Sequence, residues 1–294
     1  MLTLSAATGL VTELRVLPGP KAIVSWNPIA PIDTLELIVD TADGHRSRAL
    51  PYVVYEAGAR ASLSGFDNVA AIEIDVVSAK GGIVAVGVRS NHPLVRVAAS
   101  TPPDQPPRTT NAPSPAAVRE LDVPLVSQYV PASPDERGWC APASLAMLLG
   151  AHGCAARLAD VVAGVFDRAY NGTGNWTFGT AYVATRGFAA CAAFLRDLVT
   201  VEAFVAAGLP LALSVSWAGD ALPGAALAQS DGHILVVRGF DPAGDVIVND
   251  PAQPAVRHVY PRAAFARCWL DHGGVALLAA PAERADDLER CANA

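Results

Sequence analysis

One cysteine stands where it could act as a nucleophile. The segment GWCAPASLAML, residues 138–148, places Cys140 after a tryptophan and two residues before Pro142. Proline is favoured in the first turn of a helix because its missing N–H is not needed there, and Gly150 is of a type that often ends one. Cys140 is therefore predicted at a helix N-terminus, where free N–H groups and the helix dipole favour a thiolate. The alternative interpretation is a small buried cysteine that only fills a core.

A candidate base lies in the segment SDGHILVVRGFDPAGDVIVNDPA, residues 230–252. Two strand-like runs flank the turn signal DPAG, so the segment is predicted to be a β-hairpin. A two-residue turn places Leu235 opposite Asp250, and His233 then shares a face with Asp250 as its diagonal neighbour. A bulge at Gly244 would place Asn249 on that face instead. The alternative is a surface aspartate and an unrelated histidine at a strand end.

A second group of residues has metal-ligand types. Cys268, Asp271 and His272 have i, i+3, i+4 spacing on a possible helix, which is compatible with metal binding. No fourth ligand is evident, so a packed helix face is the preferred interpretation. We expect no metal site.

Five segments together resemble a known family. VPLVSQY, GWCAPASLAML, NGTGNW, SDGHILVVRGF and VIVNDPA occur in this order between residues 120 and 280. In combination they resemble the bacterial cysteine peptidases related to the double-glycine leader peptidases of bacteriocin exporters, a branch of the papain-like clan. The resemblance implies that Cys140 is the nucleophile, His233 the general base and acid, and Asp250 the residue that orients the imidazole. It also implies that Gln128 is the side-chain donor to the oxyanion.

The chain departs from that pattern in two places. Ala141 follows the cysteine, where the exporter-linked peptidases usually have glycine, and Gln128 lies twelve residues before Cys140. This distance exceeds that of the compact papain-like motif. The intervening residues VPASPDER can form a loop, so Gln128 can still reach the site.

The implied chemistry is acyl transfer through a thioester. A Cys140 thiolate attacks an acyl carbonyl while its own N–H and the Gln128 amide stabilise the oxyanion. His233 protonates the leaving amine and later activates water, and Asp250 fixes the imidazole tautomer. No metal or organic cofactor is needed. We therefore expect a cysteine-dependent hydrolase that cleaves a peptide or amide bond in a peptide or protein substrate.

Two other functions use the same residues. An amidase, deamidase or acyl transferase would form the same thioester, and an acyl transferase would pass the acyl group to an amine. A catalytically silent module would bind peptides in the same cleft. Two glycine-rich segments, NGTGNWTFG and the possible flap at residues 217–232, are predicted to line that cleft. Trp139 and Trp176 are candidate substrate contacts, with core packing as the alternative for each.

The sequence divides into two domains and a linker. Residues 1–98 alternate like short half-buried strands, which predicts an all-β sandwich of fibronectin or immunoglobulin type with a hairpin turn at Lys80–Gly82. Residues 99–119 are rich in proline and read as an extended linker. Residues 120–281 mix helices with later strands, and the resemblance makes this an α+β papain-like cysteine peptidase domain with an antiparallel sheet. Residues 282–294 are predicted to be a weakly docked helical tail.

The composition limits the classes of partner that we expect. The net charge is −7, and Lys21 and Lys80 are the two lysines, so nucleic acid is not an expected partner. No apolar run is long enough to span a bilayer, and no signal peptide is recognisable at the start. The expected compartment is the cytoplasm, or the exterior if a leader has been removed, and the five cysteines are expected to be reduced. The N-terminal module is expected to bind a polymer or protein partner, to orient the second domain or to space it.

Overall fold

The N-terminal part of the chain is a nine-stranded antiparallel sheet. The computed structural model describes residues 1–7, 9–30, 34–56, 58–108, 110, 112–129 and 139–294. The strands are β1 (Leu2–Ala6), β2 (Val11–Pro28), β3 (Leu35–Thr41), β4 (Leu50–Glu56), β5 (Ala59–Ser62), β6 (Gly65–Phe66), β7 (Ala70–Glu73), β8 (Val76–Ser90) and β9 (Leu94–Ser100). Their order is β1-β9-β2-β8-β3-β4-β5, and the β6–β7 hairpin pairs with β8 through β7.

Alternation along these strands explains which face is buried. In β3 the side chains of Leu35, Leu37 and Val39 are buried, and the residues between them are partly exposed. Side chains of successive strand residues point to opposite faces, so one face of β3 packs into a core that contains Trp26 and Tyr52. Strands β2 to β4 contain the segments that alternation predicts to be strands. The two-layer sandwich of immunoglobulin type stays a prediction.

The predicted turn at Lys80–Gly82 is wrong. These residues lie inside the continuous strand β8, where the pairing with β2 shifts between Gly19 and Lys21. Glycine in a strand often marks such an irregularity, because it tolerates backbone angles that other residues avoid. The tight hairpin turn lies a few residues earlier, at Ile74 and Asp75 between β7 and β8.

The second part of the chain is a seven-stranded antiparallel sheet with helices. Its strands are β10 (Arg119–Glu120), β11 (Phe188–Phe194), β12 (Leu211–Ala218), β13 (Gln229–Phe240), β14 (Val246–Asn249), β15 (Arg257–Tyr260) and β16 (Val275–Pro281). Their order is β11-β16-β12-β13-β14-β15, and β10 pairs with β13. The expected combination of helices with a mainly antiparallel sheet is confirmed.

Six helices accompany this sheet in the described ranges. They are α1 (Cys140–Ala151), α2 (Leu158–Val165), α3 (Trp176–Thr185), α4 (Leu198–Ala206), α5 (Arg262–Leu270) and α6 (Ala285–Ala292). Within those ranges none is both long and apolar enough to cross a membrane. The predicted helical tail is α6, but its weak docking is wrong, because Leu288 and Cys291 are buried in the main core.

Side chains of the N-terminal sheet hydrogen-bond to the free edge of β11. Backbone N–H groups of alternate β11 residues donate to Asn27 Oδ1 (3.2 Å), Ser25 Oγ (2.9 Å) and Ser100 Oγ (3.0 Å). Asn27 Nδ2 also donates to the carbonyl of Ala190 at 2.6 Å. An exposed strand edge would present unpaired backbone groups. Ser25 and Asn27 therefore satisfy that edge and fix the two sheets against each other.

The predicted linker packs on the second part of the chain. Arg108 binds the buried carboxylate of Asp197 through Nε (2.8 Å) and Nη2 (3.0 Å). The N–H of Ser114 donates to Glu202 Oε2 at 2.9 Å. These contacts attach the described part of the proline-rich segment to α4 and the turn before it.

Candidate functional site

Cys140 is the first residue of α1, as its sequence context predicts. Pro142 lies in the first turn and the thiol is half-buried. The helix continues to Ala151, and the glycine with positive φ beyond it is Gly153, at 78°. Gly150 therefore does not end the helix. It lies against Pro124, where an added Cβ would come within 2.5 Å of the proline ring.

His233 and Asp250 are in direct contact. His233 lies on β13, opposite Val215 of β12, and Asp250 directly follows β14. The distance between His233 Nε2 and Asp250 Oδ1 is 2.7 Å, and the two side chains are 2% and 1% exposed. So little exposure excludes the alternative of a surface aspartate. The contact uses Nε2, which leaves Nδ1 of the imidazole for a second partner.

Two irregularities decide this pairing. Next to the turn, β13 and β14 pair one residue out of the predicted register, since Phe240 lies opposite Val246. A bulge between Val237 and Gly239 then restores the predicted register, with Val236 opposite Asn249. Without that bulge, the extra turn residue would have placed Asn249, and not Asp250, on the face of β14 that His233 meets. Instead, Asn249 donates to the carbonyl of Pro124 at 3.0 Å.

Asp250 has two further hydrogen-bond donors. The hydroxyl of Tyr260 donates to Oδ2 at 2.7 Å, and the N–H of Ala252 donates to Oδ1 at 2.9 Å. Burial by itself would raise the pKa of Asp250, but the bonds from His233, Tyr260 and Ala252 outweigh it and lower the pKa below its ordinary value. The carboxylate is therefore ionised at neutral pH and holds the imidazole in one orientation.

The electrostatics of Cys140 and His233 favour an ion pair. Burial opposes the Cys140 thiolate, but a hydrogen bond and the charge of His233, together with the N–H groups of Ile234 and Ala141, lower the pKa of the thiol. Burial also opposes the imidazolium, yet the bonds to Asp250 and Cys140 raise the pKa of His233 to about 10. Each charged form stabilises the other. The two shifts favour a thiolate and an imidazolium over the neutral pair.

Two residues that sequence reasoning did not single out support this pair. Trp217 meets the His233 ring edge to face, with ring centroids 5.6 Å apart, and its Nε1 donates to the carbonyl of Leu227 at 3.0 Å. Ser144 of α1 donates to the carbonyl of Ile234 at 2.9 Å, which ties the helix of Cys140 to the strand of His233. Tyr260 is a third such residue. Ser144 lies within GWCAPASLAML and Trp217 begins the possible flap, but neither segment indicates these contacts.

Gln128 is buried next to the aspartate segment. Its backbone N–H donates to the carbonyl of Pro251 at 3.0 Å. Its side chain is 6% exposed, and Oε1 has no hydrogen-bond partner among the described residues. An unsatisfied buried amide is costly, and such groups occur at functional sites. The loop predicted for VPASPDER lies outside the described residues, and the role of Gln128 stays a prediction.

Cys140 lines a cleft of about 540 Å³ between the two sheets. Next to His233, the residues Gly232 and Ile234 also line it, and Trp176 lies on its wall. The remaining lining side chains come from both parts of the chain: Lys21, Glu73, Ile74, Asp75, Val76 and Ser78 from the first, and Tyr170, Gly174, Asn175, Ser214, Asp231 and His272 from the second. The N-terminal sheet thus forms one wall of the cleft.

Other sequence candidates lie as follows. Trp139 occupies the N-cap position of α1 and is half-buried. It is not among the residues that line the cleft, so its contact with a substrate stays a prediction. The thiol of Cys268 is buried and donates to the carbonyl of Ala221 at 3.5 Å. Across the described part of the chain, no group of three metal-ligating side chains is placed to hold a metal ion.

Comparisons with known proteins follow the same division of the chain. The sequence model of the Peptidase_C39 like family matches residues 120–277. Among solved structures, a double glycine motif protease from an AMS/PCAT transporter, crystallised with the leader peptide, is 20% identical and has a TM-score of 0.38, with 55% of this chain and 94% of that chain covered. A putative C39-like peptidase from Bacillus anthracis is 18% identical, with a TM-score of 0.43 and coverages of 54% and 95%. Comparison with curated proteins gave no match.

Proposed function

The chain belongs to the Peptidase_C39 like family, and on that premise we propose that it is a cysteine-dependent hydrolase of peptide or amide bonds. The observation that carries the proposal is the hydrogen-bonded series from Cys140 through His233 to Asp250 beside an open cleft. The cleft has room for an extended segment of a peptide or protein, which is the proposed substrate.

The proposed first step is acylation of Cys140. The thiolate Sγ forms a bond to the carbonyl carbon of the substrate, and the carbonyl electron pair moves to oxygen. When the tetrahedral intermediate collapses, the C–N bond breaks and His233 donates its proton to the departing amine. Asp250 remains ionised throughout and keeps the imidazole oriented. The amine product leaves, and an acyl thioester remains on Cys140.

The proposed second step is hydrolysis of that thioester. Neutral His233 takes a proton from water, and the hydroxide adds to the thioester carbon. The C–S bond then breaks, which releases a carboxylic acid and restores the thiolate and imidazolium. An acyl transferase would instead use an amine as the acceptor, so the chemical form of the product separates the two reactions.

The oxyanion of both steps is assigned to two donors. One is the backbone N–H of Cys140 at the helix N-terminus, where the helix dipole favours negative charge. The other is the side-chain amide of Gln128. Support for Gln128 comes from its burial and from its backbone bond to Pro251, which directly follows Asp250.

We also propose a division into two domains. Residues 1–98 would be a sandwich of fibronectin or immunoglobulin type, and residues 120–281 a papain-like domain. Strand pairing supports this division, since β1 to β9 form one sheet and β10 to β16 form the other. Alternation along β2 to β4 supports an all-β first domain.

The experiment that tests the proposed chemistry is alkylation by iodoacetamide, followed at each cysteine as a function of pH. The reagent reacts with thiolates, so Cys140 should be modified rapidly well below pH 8.5, about the ordinary thiol pKa. Cys154, which is also half-buried, is the internal control. In His233→Ala the advantage of Cys140 should disappear. Equal rates at Cys140 and Cys154 in the unmodified sequence would overturn the proposal.

A further inference from the structure

The β7–β8 turn is the part of the N-terminal sheet that reaches the cleft of Cys140. Glu73 of β7 pairs with Val76 of β8, so Ile74 and Asp75 are the two central residues of the turn. Ile74 and Val76 both line the cleft and both are half-buried. The family match begins at residue 120, so this wall lies outside it.

Ile74 has an unusual backbone conformation for its residue type. Its φ is 52°, in the left-handed region. A two-residue hairpin turn with positive φ at its first central position favours glycine there, because a β-branched side chain is strained. Such a conformation is unfavourable, and strain of this kind is concentrated at functional sites. Glycine would make the turn without that cost, but it would offer no side chain to the cleft.

Asp75 holds the strained turn in place. Its Oδ2 accepts from the N–H of Trp176 at 2.9 Å, and its Oδ1 accepts from the N–H (3.2 Å) and hydroxyl (3.0 Å) of Thr177. These are the first two residues of α3, whose N–H groups have no partner within the helix. The carboxylate of one sheet thus caps a helix of the other part. The turn is thereby fixed to the segment that carries Trp176.

Around this turn the cleft is lined by the polar residues Lys21, Glu73 and Ser78 and by an apolar group of Ile74, Val76 and Trp176. Val76 and the half-buried Trp176 pack against the same cluster, which contains Ile23 and Phe194. Trp176 also packs, with Cys140, against the core beneath α1. Ile74, Val76 and Trp176 therefore form one apolar wall that extends towards the thiol.

We propose that Ile74 is a specificity-determining residue, and that the wall of Ile74, Val76 and Trp176 accepts an aliphatic side chain of the peptide that reacts with Cys140. This inference rests on the proposed function and adds to it the source of selectivity. The N-terminal sheet is then part of the substrate site. Asp75 holds the strained turn, and the residue at the strained position is one whose side chain reaches the cleft.

Reactive peptides test this inference without knowledge of the natural substrate. The probes are peptidyl acyloxymethyl ketones in which each of the three residues before the ketone is varied in turn between glycine, valine and leucine. Iodoacetamide, which needs no peptide recognition, measures the thiolate alone. Ile74→Gly and Ile74→Asn are the test variants. Glycine and asparagine both tolerate positive φ, so both variants should fold. Ile29→Gly is the matched control, since Ile29 is exposed in the N-terminal part outside the cleft.

The expected result is a change of selectivity with an unchanged thiolate. In both Ile74 variants, iodoacetamide should modify Cys140 within about twofold of the original rate. At one peptide position, the preference for valine or leucine over glycine should fall about tenfold, which corresponds to ~1.4 kcal/mol of lost side-chain burial. Ile29→Gly should retain the original preference.

Two other outcomes are distinguishable. An unchanged preference at all three positions in both Ile74 variants, with the iodoacetamide rate retained, overturns the role of Ile74 and leaves the proposed chemistry standing. If Cys140 in the unmodified sequence reacts with iodoacetamide no faster than it does in His233→Ala, the proposed function and this inference are both overturned.

Discussion

The two sheets contribute to the cleft with different parts of their structure. In the second sheet, His233 and Asp250 lie on or next to central strands and are almost wholly buried. The N-terminal sheet instead reaches the cleft with a turn, and Ile74 there remains half-buried. Groups that exchange protons need low solvent access and fixed partners, whereas a side chain that recognises a peptide must stay accessible. Burial therefore separates the His233–Asp250 pair from the proposed recognition residue, whereas Cys140, which must meet the substrate, is half-buried like Ile74.

The largest expected effect is the loss of the proposed reaction when the nucleophile is removed. Cys140→Ala should abolish hydrolysis of any peptide that the unmodified sequence cleaves, because no other group replaces the nucleophile. Its thermal unfolding midpoint should stay close to the original, since the thiol is only half-buried. Mass spectrometry of the products measures the hydrolysis, and calorimetry measures the unfolding midpoint.

Cys154→Ala is the control for that change. Cys154 is half-buried like Cys140 but does not line the cleft, so its removal should leave turnover intact. Residual turnover in Cys140→Ala would show that the chemistry lies elsewhere, and the contrast between the two sheets would then lose its basis.

The pH dependence of kcat/KM should follow the two charged groups. The thiolate forms above the lowered pKa of Cys140, so activity should rise at a pH below that of an ordinary thiol. The imidazolium is lost as pH rises through about 10, the pKa of His233, so activity should fall there. The expected profile is a plateau between the lowered pKa of Cys140 and the raised pKa of His233, and activity should change about tenfold for each pH unit outside it. A single rise near pH 8.5 would mean that the two groups do not interact.

Removal of one support of the aspartate should have an intermediate effect. Tyr260→Phe deletes the hydroxyl that donates to Asp250 Oδ2, while the bonds from His233 and Ala252 remain. A hydrogen bond to a charged group contributes about 1.5–3 kcal/mol, so kcat should fall about tenfold with little change in KM. The alkaline limb of the pH profile, which follows His233, should also move to lower pH, because Asp250 is held less firmly against the imidazolium. Steady-state kinetics from pH 5 to 10 measure both.

Tyr55→Phe is the matched control for the hydroxyl. Tyr55 lies on β4 of the N-terminal sheet and is half-buried away from the cleft. Equal losses of kcat in the two variants would indicate a general effect of tyrosine removal instead of an effect through Asp250.

The smallest expected effect on activity concerns the contact between the sheets. Asn27→Ala leaves the N–H and carbonyl of Ala190 without their buried partner. The free energy of unfolding in urea should fall by about 1–3 kcal/mol. Cys140, His233 and Asp250 keep their contacts, so kcat should stay within about twofold. Any change in KM should be a rise and not a fall, because the wall of the cleft is held less firmly.

Asn91→Ala gives the comparison for this loss. Asn91 also accepts a backbone N–H, that of Thr34 at 2.7 Å, but on the exposed surface. Water replaces that bond, so the free energy of unfolding should change little. The same loss in both variants would argue against a firm junction between the sheets.

Local sequence was a good guide where the relevant contacts are local. The alternation in β2 to β4 placed those strands, and the position of Pro142 placed the start of α1 at Cys140. The hairpin of β13 and β14 followed from DPAG. Its pairing was harder to predict, because an extra residue at the turn and a bulge before Gly239 cancel each other. The Lys80–Gly82 segment was misread because glycines in a bulged strand and in a turn have the same local signature.

Local patterns were enough to predict a cysteine at a helix N-terminus, a histidine and an aspartate on one hairpin, and an alternating N-terminal sheet. The packing of the two parts was needed to show that Tyr260 and Trp217 support the pair, and that Ile74 lies in the same cleft as Cys140. Distance along the chain explains the difference. Backbone propensity acts over a few neighbouring residues, whereas the contact that fixes the turn joins Asp75 to Thr177 and depends on how the two parts pack.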